Sequence, residues 1–205
     1  MGKVAIIDYG MGNIDSVLRA VEECGAEPVL TNEKAVLETC SSIILPGVGA
    51  FSDAMRQLKK LSLDLIIKEQ VLEKNIPFLG ICLGMQLLAS RGTEGGDTEG
   101  LNLIKGSVAR FESNAKDIRI PHMGWNEVVF KTDSQLFNGI DSGKDFYFVH
   151  SYHFKPDNDS DIAGTTPYCG EFVSVVGRGL IFGTQFHPEK SQKTGFRLLR
   201  NFLEI

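Results

Sequence analysis

The stretch from Ile76 to Leu88, Ile-Pro-Phe-Leu-Gly-Ile-Cys-Leu-Gly-Met-Gln-Leu-Leu, constrains this chain more than any other. Phe78 to Ile81 is an apolar run that reads as a buried strand. Leu83, Leu87 and Leu88 follow at helical spacing, with Gln86 free to face elsewhere. Between the two halves, Gly80-Ile81-Cys82-Leu83-Gly84 frames a cysteine with glycines. A strand that reverses into a helix within one residue forces that residue into a strained turn, and only glycine at the flanks leaves room for the adjoining strand and helix. Such a turn lifts Cys82 out of the sheet and sets its sulfur at a helix N-terminus, where free N–H groups and the macrodipole favour the thiolate. Taken alone, the pentapeptide also suits a buried structural cysteine, because free cysteines are commonly small core hydrophobes.

The first half of the chain alternates strand and helix. Val4 to Ile7 is a short apolar strand, and Asp8 to Gly12 is a turn. Asn13 is placed to cap a helix with Ile14, Val17, Leu18 and Val21 on one face and Gly25 as its stop. Pro28 to Leu30 and Ser42 to Leu45 read as strands, the latter ending in Pro46-Gly47-Val48-Gly49. Phe51, Ala54, Met55 and Leu58 mark an amphipathic helix, and a further helical stretch runs to Lys74 before the strand at Phe78. This order predicts an open, mostly parallel α/β sheet, in which ligands sit at the carboxyl ends of the strands. Gly10-Met11-Gly12 lies between a strand and a helix as a dinucleotide fingerprint would, but Asp15 stands where the third glycine belongs. A tight turn is the better reading there.

After the polar, glycine-rich segment Ser90 to Gly96, strands dominate. Val108–Phe111, Glu127–Phe130, Phe146–Val149, Ile162–Thr165 and Phe172–Val176 carry aromatic and β-branched residues between turn residues. Gly177-Arg178-Gly179 reads as a hairpin turn into a strand from Leu180 to Phe186. A final helix has Ser191 as its expected N-cap and Phe196, Leu199, Phe202 and Leu203 as its apolar face. No linker or repeat interrupts residues 1–205, so a single domain is expected.

The last strand leads into Gln185-Phe186-His187-Pro188-Glu189. On an extended segment His187 and Glu189, two apart, point to the same side. The carboxylate can then hold the imidazole tautomer while the imidazole activates a thiol. This pair lies just past a strand, at the end of the sheet where Cys82 is expected, so Cys82, His187 and Glu189 form a candidate thiol acyl-transfer triad. Such a site also needs donors for an oxyanion. Leu83 offers the N–H after the nucleophile, and the Val48 peptide, between Gly47 and Gly49, offers a second one free to point either way.

Composition narrows the partners. The 205 residues are 42% hydrophobic, enough for one substantial core, and the net charge of −5 gives no case for nucleic acid. No apolar run approaches the ~20 residues of a membrane span. The N-terminus meets Asp8 too soon for a secretory signal. Cys24, Cys40, Cys82 and Cys169 are scattered without a Cys-x-x-Cys pair, which argues against a disulfide framework or zinc site and for reducing cytoplasm.

Three motifs together, Leu-Pro-Gly-Val-Gly at 45–49, Gly-Ile-Cys-Leu-Gly-Met-Gln at 80–86 and Gln-Phe-His-Pro-Glu at 185–189, resemble a class I, triad-type glutamine amidotransferase. Pro121-His122-Met123-Gly124-Trp125-Asn126 and Tyr147-Phe148-Val149-His150-Ser151-Tyr152 narrow the resemblance to the branch that serves as glutaminase subunit of imidazole glycerol phosphate synthase in histidine biosynthesis. It covers essentially the whole chain. It implies a flavodoxin-like core with helices on both faces and an added β-rich portion in the second half. It also implies no metal and no organic cofactor, L-glutamine as substrate, and a heterodimer with a barrel-shaped cyclase subunit that consumes the ammonia.

Carried over by position, the resemblance implies Cys82 as nucleophile, His187 as acid–base and Glu189 as orienting carboxylate. Gln86 and Glu94 would contact glutamine, with Gly49, Ser151 and Tyr152 supplying backbone contacts. Trp125, Tyr147 and Lys190 would line the face that meets the cyclase. Gly92-Thr93-Glu94 stands where the family more often has Ser-Glu-Glu, and Glu94 keeps the carboxylate. Three alternatives stay open: a paralogous subunit feeding ammonia to another synthase, for instance one amidating a surface-polysaccharide sugar, a thiol hydrolase on the same fold, and a non-enzymatic interaction protein that has lost activity, against which the intact triad speaks.

Overall fold

A computed structural model describes residues 2–112 and 119–205. The first unit alternates β1 (Lys3–Ile7), α1 (Ile14–Glu23), β2 (Glu27–Thr31), the short α2 (Lys34–Leu37), β3 (Ser42–Gly47), α3 (Phe51–Lys60) and α4 (Leu63–Lys68). β4 (Phe78–Cys82) runs directly into α5 (Leu83–Gln86). The second half adds β5 (Arg91–Gly92), β6 (Thr98–Glu99), β7 (Gly106–Arg110), β8 (His122–Phe130), β9 (Lys144–His150), β10 (Tyr152–Pro156), β11 (Ile162–Pro167), β12 (Glu171–Arg178) and β13 (Ile181–Thr184), and closes with α6 (Gln192–Leu203).

The parallel part of the sheet has the order β2-β1-β3-β4-β13, the flavodoxin-like order with β13 as its fifth strand. Beyond β13 the sheet turns antiparallel through β12, β10 and β7, while β11, β8 and β9 branch from β12. The central strands are apolar on both faces because helices cover both. Ala5, Ile7, Ile43, Leu45 and Phe78 pack under α3 and α4, whereas Val4, Ile6, Ile44, Leu79 and Ile81 pack under α1 and α6. This explains the uninterrupted hydrophobic runs in place of alternation.

Several local expectations need correction. Asn13 precedes α1 without a side-chain capping bond. Its far end does close on Gly25 at φ +89°, with Gly25 N–H bonded to Glu22 O and Ala26 N–H to Val21 O, the Schellman pattern. The helical stretch to Lys74 is α4 followed by a π-helical segment, Glu69–Glu73. β3 continues through Pro46 because β1, whose last partner in β3 is Ile44, has already ended there. β8 begins at His122, five residues earlier than the apolar run suggested, because its first half alternates polar and exposed side chains. β12 extends to Arg178, paired with Ile181, so the hairpin turn is Gly179-Leu180. In α6 Leu198 is buried beside Leu199 and Phe202, while Phe196 and Leu203 are only partly covered. Ser191 makes no capping bond.

Candidate active site

β4 and β13 lie side by side and parallel, with Thr184 opposite Ile81. The residues that follow each strand therefore emerge at the same edge, and this register brings the segment after β13 next to Cys82. Cys82 occupies the expected strained turn, at φ 55° and ψ −107°. The glycine at 84 is dictated by packing: a β-carbon there would overlap the carbonyl of Leu45. The helix that follows is shorter than expected. α5 is a single turn, too short for a large macrodipole, so the helix contributes little charge at Cys82.

The charged partner of the sulfur is His187. Its Nδ1 lies 2.8 Å from Glu189 Oε1, and both side chains are almost fully buried. Burial by itself would lower the imidazole pKa. The Cys82 sulfur, with Glu189 behind the ring, more than offsets this and pushes it up to about 10. With Nδ1 engaged by Glu189, Nε2 is the nitrogen left to act on Cys82, and it has no direct hydrogen-bond partner among the described residues. Pro188 starts a short 3₁₀ turn that carries Glu189 and Lys190.

A cavity of about 490 Å³ opens over Cys82 and is lined by Val48, Gly49, Leu83, Gln86, Glu94, Ser151, Tyr152 and His187, together with Ala50, Pro121, Val149 and His150. Every residue expected to contact substrate or an oxyanion thus lines one cavity. Gln86 donates both amide hydrogens to the protein, one to Tyr152 O and one to Gln185 Oε1, each over 3.0 Å, so its carbonyl oxygen is what remains for a ligand. Glu94 Oε2 accepts the Phe51 N–H at the start of α3, and burial raises its carboxyl pKa.

The Val48 loop differs from expectation in one respect. Gly49 has φ +105°, but Gly47 is the last residue of β3, paired with Cys82. Gly47 lacks a β-carbon because the Tyr9 hydroxyl occupies that space. Tyr9 was not among the expected site residues, although it belongs to the wall behind Cys82. Its phenol is buried, has no hydrogen-bond partner among the described residues, and is pushed upward in pKa by burial and by Cys82. Gln185 was also missed. Fully buried, it reaches Cys82 Sγ with its Nε2 at 3.8 Å. Its place just before His187 was the only sequence signal.

Trp125, Tyr147 and Lys190 stand outside the cavity. Trp125 is 48% exposed, so core packing does not account for it, and its ring meets that of Tyr147 across the β8–β9 ladder at 6.1 Å. Met123 is 64% exposed on the same outward face. Among the described residues no group of three or more His, Cys, Asp or Glu side chains is arranged to hold a metal ion. No described helix is long and apolar enough to cross a membrane.

The family described as glutamine amidotransferase class-I matches residues 5–205. The chain is 47% identical over 205 residues to the imidazole glycerol phosphate synthase subunit HisH of Moorella thermoacetica, covering 100% of this chain and 96% of that protein. It is 46% identical over 202 residues to subunit HisH 1 of Campylobacter jejuni, covering 98% and 100%. Among solved structures, PurLQS from Thermotoga maritima superposes with a TM-score of 0.76 at 20% identity, over 99% of this chain and 98% of that one. A glutamine amidotransferase from Thermotoga maritima gives 0.65 at 22% identity, over 98% and 82%. These two likenesses show a shared fold.

Proposed function

Because this chain belongs to the class-I glutamine amidotransferases, we propose that it is the glutaminase subunit of an imidazole glycerol phosphate synthase, working in histidine biosynthesis. The observation that carries the chemistry is the convergence of Cys82, His187 and Glu189 at one end of the sheet, over a cavity of amino-acid size. The relatives' shared name over the full length supports the choice of pathway.

The Cys82 thiolate attacks the side-chain amide carbon of L-glutamine, and the charge that develops on the oxygen is met by the N–H groups of Leu83 and Val48. The C–N bond of the tetrahedral adduct breaks as His187, protonated on Nε2, gives its proton to the leaving nitrogen, which departs as ammonia. His187 then takes a proton from water, whose oxygen attacks the thioester, and glutamate is released with the thiolate restored. Glu189 holds Nδ1 throughout and stabilises the imidazolium. Gln86 and Glu94 present oxygens suited to the substrate's α-ammonium group, while the backbone at Gly49, Ser151 and Tyr152 fixes the rest of it.

The ammonia passes to a cyclase partner, as the relatives' names suggest, which docks on the face that carries Trp125, Tyr147 and Lys190. There it would be used with a ribulosyl aminoimidazole nucleotide. A cytoplasmic setting suits four unpaired cysteines, one of them reactive.

The test is Cys82→Ser in complex with the cyclase of histidine biosynthesis. Glutamine-dependent synthesis and ammonia release should vanish, while synthesis from added ammonium salt persists. Retained glutamine turnover in the purified variant would remove Cys82 as nucleophile. Wild-type chain that fails to supply this cyclase with ammonia would remove the pathway assignment.

A further inference from the structure

Strand β8 separates two sets of side chains. Met123 and Trp125 point outward, while His122 and Asn126 point inward. His122 stands opposite His150 of β9 in the ladder, and both rings are buried. His150 Nδ1 lies 2.8 Å from the Tyr152 carbonyl oxygen. A carbonyl only accepts, so Nδ1 carries the proton and Nε2 is left with a lone pair. His122 Nδ1, 3.0 Å from that Nε2, must therefore donate, and its own Nε2 accepts from Asn126 Nδ2 at 3.2 Å. The Asn126 amide is oriented independently, since its Oδ1 accepts the Glu127 N–H and its Nδ2 also donates to Pro167 O.

Every donor in this chain points the same way, and it ends on a carbonyl in the cavity wall. The Tyr152 carbonyl also accepts from Gln86, which bonds Gln185, which reaches Cys82 Sγ. Tyr152 opens β10 directly after the bend at Ser151 and pairs with Arg110 of β7. Its oxygen accepts two side-chain donors, one from His150 and one from Gln86, which tie this end of the strand to the cavity wall.

We propose that His122 and His150 are positioning residues for glutamine, acting as a neutral pair, both protonated on Nδ1, that holds the Tyr152 carbonyl and through it the Gln86 amide. The inference rests on the reading of the cavity as a glutamine site. Neutrality is a geometric requirement, because an imidazolium at His150 would set two N–H groups against each other across 3.0 Å, and one at His122 would do the same against the Asn126 amide. The surroundings agree: Phe111, Phe148, Phe172 and Tyr168 pack around the two rings. Burial holds both imidazoles well below their ordinary pKa, His122 at about 4 and His150 at about 3.

The test compares His150→Asn with His150→Gln in the complex with the cyclase. Asparagine sets an amide N–H where Nδ1 was, and glutamine sets one where Nε2 was. His150→Gln should raise the KM for glutamine about tenfold with kcat changed less than about threefold, the size of one lost hydrogen bond to a bound ligand's support. His150→Asn should recover most of that loss, and His122→Ala should resemble His150→Gln. Equal KM for the two His150 variants, or a loss confined to kcat, overturns the proposal. Imidazole ¹⁵N shifts of the wild-type chain give a readout independent of turnover and of variant folding. Both rings should report the Nδ1–H tautomer, and an Nε2–H tautomer at either residue refutes the pair. A wild-type complex that releases no ammonia from glutamine would instead overturn the glutamine site while leaving the tautomers measurable.

Discussion

The backbone of Tyr147 grips the backbone of His187: the His187 N–H donates to the Tyr147 carbonyl over 2.9 Å. The grip is closed by Ser191, whose Oγ accepts the Tyr147 N–H at 3.0 Å and donates to the His187 carbonyl at 2.7 Å. The hydroxyl expected to cap α6 is spent on this ring. Displacement of β9 would therefore carry His187 with it.

Ser191→Ala opens the ring and leaves the Tyr147 N–H without its partner. We expect a loss of ~1–3 kcal/mol in urea-unfolding stability. We also expect kcat for glutamine to fall about tenfold, equivalent to ~1.4 kcal/mol of barrier, as His187 loosens. Steady-state kinetics beside a denaturation curve checks both, and unchanged kcat would show that the ring does not position His187.

Cys82 should react with glutamine-like alkylating agents roughly tenfold or more faster than any other cysteine. Cys24 and Cys40 are thiols whose pKa burial raises, and each donates to a backbone carbonyl. Cys82 has the protonated imidazole of His187 beside it. Mass-spectrometric mapping after partial labelling decides the matter, and label spread evenly over the four would contradict it.

Acid should destabilise the chain in a window set by the buried imidazoles. His122 and His150 fall from the ordinary 6.5 to about 4 and about 3 on folding, because burial disfavours the charged ring. At these two rings the unfolded chain then binds more protons than the folded one between these values, so the stability they contribute is complete above about 6.5 and is lost as pH falls towards 4 and 3; His153, lowered to about 4 by burial, adds a contribution of the same sign. Urea unfolding from about pH 7 to about pH 4.5 should show this decline. His150→Asn, which cannot titrate there, should make it shallower, with His122 and His153 supplying the rest, and an equally steep decline in that variant would exclude His150 as a source.

Gly84→Ala should prevent the elbow from closing, because the new methyl would meet the Leu45 carbonyl, a backbone atom of a central strand that has little room to yield. A loss of ~3 kcal/mol or more is expected, on the high side for overpacking. Thermal melting reads it directly, and a wild-type melting temperature would mean that β3 and β4 can separate at little cost.

Glutamine hydrolysis by the isolated chain should be slow and should rise with partner plus acceptor analogue, chiefly in kcat. If the Val48 N–H is turned away from the oxyanion until the partner acts, the missing donor costs ~10²–10³ in kcat. KM should move less, since that donor acts on the transition state. The freedom for such a turn lies on the Gly49 side, because Gly47 is held in β3 and packed on Tyr9. Full activity of the isolated chain would end the gating idea, and stimulation seen only in KM would end its oxyanion explanation.

What was legible beforehand was local. The apolar runs of the central strands, the elbow at Cys82, the stop at Gly25 and the two-residue spacing of His187 and Glu189 each depend on interactions within a few residues, so the order of residue types carries them. The class of chemistry followed, because a nucleophile, a base and its orienting carboxylate are recognisable as residue types.

The remainder depended on segments far apart in the chain meeting in a particular register. Gln185 and Gln86 are 99 positions apart, and His122 and His150 are 28 apart. No local pattern announces that these side chains bond one another. β10 and the two-residue strands β5 and β6 went unseen because their length and composition are set by the neighbours they pair with, and Ser191 was read as a cap because its competing partners, Tyr147 and His187, belong to its tertiary surroundings. Backbone periodicity is a property of adjacent residues and was determined by the sequence alone. The assignment of each polar hydrogen to its acceptor waits on the burial that makes an unpaired one costly, and only the tertiary structure decided it.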